Sequence, residues 1–485
     1  MMKKLKLCSL IMMAAGLSFA VQASSPDEAK NATKRPNVLF VMCDDLANRV
    51  GVNGYSHVQT PNIDKFARSA LNFHRAVVQY PMCGPSRASM LTGLYCEKVG
   101  QDTGEAQMFQ YSPGVRIMPQ IFRDNGYWTG GLGKISHNPW QDPELEGSWD
   151  EFHLFRLKEE RKKSGPSKYS MRCPVQNDKK WSERIIYQSH PADDKYYPDA
   201  QSAEQAISWM KERKEDGQPF FIACGFLKPH NPYTCPEKYY DMYADSSAAV
   251  VHEEVSDWDN RPIHAKNSFF NTYGFKWKEN DPERAAGIVR AYHACITYVD
   301  AQFGKIMDAL DEQGLSDNTI VVFTSDHGYH LGEHFLWAKF SLFDESLRVP
   351  TFIRVPGANG NGKTTKSPVG LIDLLPTLQD YCGLDIAHKM QGKSLRPIVD
   401  DPSHSVKEYE YSIWGKREPE LKGRSLLGER YHFIQWLDNE NEVELYDLEK
   451  DPGEHVNLAR HPEYGAMVKN FLKMVQEKKR SILDL

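Results

Sequence analysis

The run Pro81-Met82-Cys83-Gly84-Pro85-Ser86-Arg87, followed by Leu91-Thr92-Gly93, sets a thiol beside a proline and a guanidinium. Pro85 suits the first position of a helix, where its missing N–H leaves no gap in the hydrogen bonding. On that reading Cys83 lies just outside a helix N-terminus, where free N–H groups and the macrodipole favour negative charge. An activated sulfur fits there, as does an anion bound beside one, and so does a half-buried structural thiol. The choice depends on what the rest of the chain brings to Cys83.

Four apolar runs end in acids or bases. Asn37–Cys43 leads to Asp44-Asp45, and Tyr127–Gly133 leads to Lys134 with His137 just beyond. Pro219–Phe226 precedes Lys228-Pro229-His230, and Thr319–Thr324 precedes Ser325-Asp326-His327-Gly328. Runs without alternation read as strands buried on both faces, as in a parallel sheet. A further strand is expected over Val349–Val355. Helices are expected after Thr60-Pro61, over Met118–Asn125, from Asp199 to Glu215, and over Leu371–Cys382. A long helix from Pro282 carries one apolar stripe (Val289, Tyr292, Ile296, Val299, Phe303, Ile306, Leu310) and stops at Gly314.

Strands alternating with helices imply an α/β fold, in which ligands bind beyond the carboxyl ends of the strands. The charged residues just named therefore converge on one edge, which favours a functional Cys83. Asp44, Asp45 and Asp326 form a carboxylate cluster that repels itself unless a hard divalent cation sits within it. Arg87, Lys134, Lys339, His137 and His230 supply positive charge and protons. A cation and a ring of bases beside a nucleophile suit transfer of a small anionic group such as sulfuryl or phosphoryl.

Composition narrows the class. The chain has 485 residues, 40% of them hydrophobic, enough for a large core. A net charge of -6 and a pI near 6.3 argue against a nucleic-acid binder. Lys3, Lys4 and Lys6 precede an apolar run from Leu7 to Ala20, and Val21-Gln22-Ala23 offers a cleavage site, so residues 1–23 read as an export signal. No second run of that kind appears, so no transmembrane span is expected after cleavage, and the product is periplasmic or secreted. The nine cysteines make neither a disulfide framework nor a zinc site, although Cys224–Cys235 could pair. Residues 138–198 and 240–280 read as irregular loops. Beyond about residue 400, short aromatic-rich runs (Tyr409–Trp414, Arg430–Leu437, Val443–Leu448) and a terminal helix mark a smaller subdomain. The expected organisation is a signal at 1–23, a catalytic domain at 24–400 and a C-terminal subdomain at 401–485.

The motifs together resemble the type I sulfatase family. Cys83-x-Pro-Ser-Arg with Leu91-Thr92-Gly93 is similar to the family's signature, and Asp44-Asp45, Thr324–Gly328, Gly332-Glu333-His334, Trp337-Ala338-Lys339 and Glu444-Leu445-Tyr446-Asp447 match as well. Within the family, Gly133-Lys134…His137, Lys228-Pro229-His230 and the stretch from Ser325 to Lys339 look closest to the iduronate-2-sulfatases. The resemblance implies an alkaline-phosphatase-like fold, with a central, mostly parallel sheet flanked by helices and a smaller C-terminal α+β subdomain. It also implies that a maturation enzyme oxidises Cys83 to formylglycine, whose hydrate attacks sulfur and later re-forms the aldehyde to expel sulfate. Arg87 and His137 would hold the hydrate and Lys134 would bridge it to the sulfate. Lys339 would bind sulfate oxygens, and His230 would protonate the departing alcohol. One Ca2+ would be held by Asp44, Asp45, Asp326, His327 and the modified Cys83.

The implied substrate is a sulfated carbohydrate, with 2-O-sulfated uronate in glycosaminoglycan fragments as one candidate. A phosphonate or phosphodiester hydrolase of the same superfamily is the enzymatic alternative. A carbohydrate-binding homologue with unmodified Cys83 is the alternative from another class. Four groups are set aside. His293 reads as a satisfied structural histidine, His334 as ordering its own loop, Lys158–Lys168 as a solvated face, and Lys228 as a strand-end cap.

Overall fold

A computed structural model describes residues 35–100, 111–137, 147–172, 185–243, 282–415, 421–437 and 442–484. The expected export signal, Cys8, Cys173 and most of the 240–280 segment lie outside the described residues.

The first element, β1 (Asn37–Asp44), is buried at every position. Its side chains alternate between two cores: Leu39, Val41 and Cys43 face one, and Val38, Phe40 and Met42 face the other. A strand covered on both faces needs this unbroken apolar run. In chain order follow α1 (Pro61–Ala67), β2 (Leu71–Phe73), α2 (Cys83–Thr92), α3 (Met118–Asp124), β3 (Trp128–Gly133) and β4 (Glu151–His153). Then come α4 (Pro198–Asp216), β5 (Phe220–Pro229), α5 (Pro282–Glu312), β6 (Thr319–Ser325), β7 (Phe352–Arg354), β8 (Thr364–Thr365) and α6 (Leu374–Cys382). The eight strands form one sheet in the order β8-β2-β7-β6-β1-β5-β3-β4. From β6 to β4 neighbouring strands run parallel, and β7 is antiparallel to both of its neighbours. The expected α/β class and mostly parallel sheet are what the structure shows.

Helices α4 and α5 bury Ala200, Ala203, Trp209, Val289, Tyr292 and Phe303 against one face of the sheet. The other face is covered by α2, α3 and α6 through Met90, Leu91, Ile121, Leu375 and Leu378. The C-terminal region is a four-stranded antiparallel sheet of β9 (Tyr409–Gly415), β10 (Leu421–Gly428), β11 (Tyr431–Trp436) and β12 (Val443–Asp447), covered by α7 (Gly465–Leu483). Its core of Tyr411, Ile413, Phe433, Leu445, Phe471 and Val475 also takes in Tyr80, Tyr95 and Ile372 from the larger part of the chain.

Several expectations need correction. The 138–198 stretch contributes elements where it is described: β4 extends the main sheet, and Ser170–Arg172 and Ile185–His190 join Tyr233–Pro236 in a three-stranded sheet. These strands are short and half-exposed, so they leave no apolar run to read. The strand expected over Val349–Val355 is only Phe352–Arg354. Strand β10 lacks the aromatic residues that revealed its neighbours. Cys224 and Cys235 are free, buried thiols. Among the described residues no helix is long and apolar enough to cross a membrane.

Asp300 fastens α1 to α5. Its carboxylate accepts the backbone N–H groups of Asn62 at 3.0 Å and Ile63 at 2.7 Å, the unpaired donors of the first turn of α1. Asp300→Ala leaves both donors without a partner and should lower stability by about 2–3 kcal/mol in chemical unfolding. Burial pushes this carboxyl up to about 6 against the hydrogen bonds from Ile63 and Asn62. The folded state therefore holds the proton more tightly than the unfolded chain, whose aspartate titrates near pH ~4. Stability from this group falls as pH rises from about 4 to about 6, and Asp300→Asn should flatten that slope. An unchanged slope in Asp300→Asn would contradict the assignment.

Candidate active site

The carboxyl ends of β1, β3, β5 and β6 bring their charged residues together, with α2 entering from the side. Cys83 is the first residue of α2, and Met82 is the cap. The helix expected to start at Pro85 thus starts two positions earlier, at Cys83. Pro85 occupies the third helical position, still within the turn whose N–H groups have no intrahelical partner. Cys83 remains at the positive end of the helix.

Arg87, one turn further on, is fully buried. Its Nε donates to Asp326 at 2.9 Å and its Nη2 to Asp44 at 2.8 Å. Its Nη1 donates to the carbonyls of Lys134 and Ile135. Lys134 Nζ donates to both oxygens of Asp44, at 2.9 and 2.7 Å. Burial alone would raise the Asp44 carboxyl, but Lys134, His230 and Arg87 hold it well below the usual carboxylate range.

Asp45 has φ 65°, a left-handed conformation unusual for a residue with a side chain. Its N–H donates to Asp326 Oδ1 at 2.9 Å, and its Oδ1 accepts from Lys339 Nζ at 2.6 Å. Lys339 Nζ also lies 2.9 Å from Cys83 Sγ and 3.1 Å from His327 Nε2. His327 Nε2 is 3.2 Å from the same sulfur, and its Nδ1 lies 2.9 Å from the Gly328 carbonyl. His230, on the loop after β5, points Nε2 at Asp45 Oδ2 from 3.8 Å, and its Nδ1 meets the Asn231 carbonyl at 2.6 Å. His137 is half-buried three residues past Lys134, in the turn after β3.

Burial disfavours a Cys83 thiolate, yet Lys134 and Lys339 bring the thiol below its ordinary value. Residue 83 therefore sits where developing negative charge is stabilised. Burial also lowers His327, but Asp326, Cys83 and Asp45 push it up to about 10. The ammonium of Lys339 at Nε2 opposes that proton, and the Gly328 contact suits a neutral ring with its hydrogen on Nδ1. The neutral ring is the form that ligates a metal.

Asp45, Cys83, Asp326 and His327 each offer a donor atom within 4.8 Å of the others, and Asp44 groups similarly with Asp45 and His230. Asp45 Oδ2 is buried and, among the described residues, accepts no hydrogen bond. An orphaned carboxylate oxygen among ionised acids fits a divalent cation. Acids, imidazole and residue 83 thus suit the expected Ca2+.

Some contributors went unread in the sequence. Tyr292, counted only as part of an apolar stripe, donates its hydroxyl to the Asp45 carbonyl at 2.6 Å and accepts the Ala47 N–H at 2.8 Å. Ser325 Oγ accepts the Leu46 N–H at 2.9 Å. These two hydroxyls hold the strained Asp45 turn, and periodicity cannot reveal a hydroxyl at the end of an apolar ring. His293 is buried as expected, but among the described residues neither ring nitrogen has a hydrogen-bond partner. Four of the six non-glycine residues with positive φ among those described, His334, Phe335, Ala338 and Phe340, surround Lys339. Such strain collects at functional sites.

A family model described as "Sulfatase" matches residues 36–384, and one described as "N-sulphoglucosamine sulphohydrolase, C-terminal" matches residues 332–481. A protein described as a sulfatase from Formosa agariphila is 30% identical, over 93% of this chain and 89% of that one. The iduronate 2-sulfatase of Mus musculus is 27% identical, over 93% and 96%. A solved structure described as a complex with its substrate D-glucosamine-2-N,6-O-disulfate has a TM-score of 0.71 at 20% identity, over 93% and 99% of the two chains.

Arg87 is the element to test. Arg87→Lys keeps the charge but cannot span two carboxylates and two carbonyls. It should cost about 3–5 kcal/mol, because a buried partner is left uncompensated, as measured by denaturant unfolding. A loss below about 1 kcal/mol would show that the guanidinium network contributes little.

Proposed function

The chain belongs to the sulfatase family and is a sulfuric ester hydrolase, and we propose that it is an exported, calcium-dependent enzyme that desulfates a carbohydrate. The observation that carries this reading is residue 83 itself. Its sulfur lies at a helix N-terminus within 3.2 Å of Lys339 and His327, beside a carboxylate oxygen that no hydrogen bond satisfies.

As formylglycine, residue 83 supplies a hydrate with one hydroxyl to attack sulfur and a second that lets the aldehyde re-form. Asp44, Asp45, Asp326, His327 and residue 83 would hold the calcium ion, which would supply positive charge beside the sulfate. Lys134 and Lys339 flank residue 83 and take up the charge that builds on those oxygens. Arg87 holds the acids at fixed separations, and His137, three residues past Lys134, is assigned with it to holding the hydrate. His230 gives Nδ1–H to the Asn231 carbonyl, which leaves Nε2 facing the site, 3.8 Å from Asp45 Oδ2, and a proton delivered from there would make a departing alkoxide a neutral leaving group.

Similarity to the iduronate 2-sulfatases supports a sulfated sugar, with 2-O-sulfated uronate of glycosaminoglycan fragments as the leading candidate. The basic, apolar N-terminus supports export to the periplasm or beyond, where a sulfated polysaccharide is met. A separate maturation enzyme oxidises Cys83 before the protein acts.

Sulfate and phosphate monoesters and diesters sharing one leaving group should separate this reading from a phosphoryl transferase. Sulfate monoesters should be turned over fastest, and a phosphodiester preference would contradict the proposal. His230→Gln should slow an alkyl sulfate about 10²–10⁴-fold and a nitrophenyl sulfate far less, because a good leaving group needs no proton. Equal losses on both substrates would remove His230 from the role of acid.

A further inference from the structure

The turn that carries His230 starts from a break in the sheet. Pairing of β1 with β5 slips at its carboxyl end: Cys43 faces Phe226, but Asp44 faces Pro229. Leu227 and Lys228 are therefore surplus residues, and a bulge of this kind re-aims the side chains beyond it. Both of their N–H groups donate to one buried carboxylate, Asp199 in the first turn of α4, at 2.7 Å from Leu227 and 3.2 Å from Lys228.

Beyond the bulge, three successive carbonyls each have a donor. Lys228 Nζ donates to the carbonyls of His230, at 2.5 Å, and Pro232, at 2.8 Å. The carbonyl between them, that of Asn231, takes the Nδ1–H of His230 at 2.6 Å. The ammonium thus grips the backbone on both sides of the acceptor that orients the imidazole. The His230 side chain is 30% exposed, so packing alone does not hold the ring. Lys228 therefore does more than cap a strand end: both of its bonds reach past Pro229, where β5 stops, to the turn itself.

We propose that Lys228 and Asp199 are positioning residues for His230. The ammonium fixes the carbonyls of one turn and the carboxylate fixes its N–H groups, and together they hold the imidazole where it delivers its proton. Neither residue transfers a proton or binds the sulfate. Charge on both matters, because hydrogen bonds with one charged partner are about twice as strong as neutral ones. This inference rests on the reading of His230 as the acid.

Steady-state kinetics of the matured enzyme on an alkyl and a nitrophenyl sulfate test it. Lys228 is half-buried, so Lys228→Met removes the ammonium without opening the core. That variant should lose about 10–100-fold in kcat on the alkyl sulfate and far less on the nitrophenyl sulfate, because only a poor leaving group needs the positioned acid. Asp199→Asn should show the same bias, smaller because one acceptor oxygen remains. Adding Lys228→Met to His230→Gln should slow the alkyl sulfate by no more than about threefold further, since the ring to be positioned is already gone. Equal losses on the two substrates in Lys228→Met would overturn the inference, as would undiminished alkyl sulfate turnover or losses that multiply in the double variant. If His230→Gln itself shows no bias between the substrates, the assignment of the acid fails. A bias in His230→Gln with none in Lys228→Met defeats the positioning role alone, so the two failures are separable.

Discussion

The site depends on one buried guanidinium. Arg87 reaches from α2 to the ends of β1, β3 and β6 at once, pairing with Asp44, Asp326 and the carbonyls of Lys134 and Ile135. Only a planar fork with several donors can hold two carboxylates and two carbonyls in fixed relation. Because Cys83 begins the same helix, fixing Arg87 also fixes residue 83 against the acids. The sheet gives the approximate convergence of the strand ends, and Arg87 sets their register.

Around that anchor the structure accepts local costs. Asp45 is held in a left-handed conformation, and so are four residues flanking Lys339. Tyr292 and Ser325 hold the first of these turns with hydroxyls brought in from α5 and β6. The two-faced core beneath absorbs such strain, since a parallel sheet covered on both sides is the most deeply buried part of the chain. The C-terminal sheet shares its core with Tyr80 and Tyr95, which bracket α2 in sequence, so the smaller subdomain packs behind the helix that carries Cys83.

Most of this frame was legible in the sequence. Unbroken apolar runs gave β1, β3, β5 and β6, and a stripe spaced by threes and fours gave α5, because burial on two faces or on one stripe leaves those patterns. The carboxyl-end rule then gathered Asp44, Asp45, Lys134, His230 and Asp326 before any geometry was known. Short, half-exposed strands such as β4 and Ile185–His190 were illegible, since neither period nor composition marks them. The cap at Met82 was missed because Pro85 fits any position in a first turn. Side-chain roles set by tertiary contact, such as the Tyr292 hydroxyl and the buried His293, had no local signature.

The central claim is that residue 83 acts as an oxygen nucleophile made from cysteine within a cationic pocket. Mass spectrometry of the Cys83 peptide, from protein made in a host that has the maturation enzyme, tests this most directly. The account predicts an aldehyde at position 83 that reacts with a hydrazide probe and accompanies sulfatase activity. An intact, alkylatable thiol in fully active protein would contradict it.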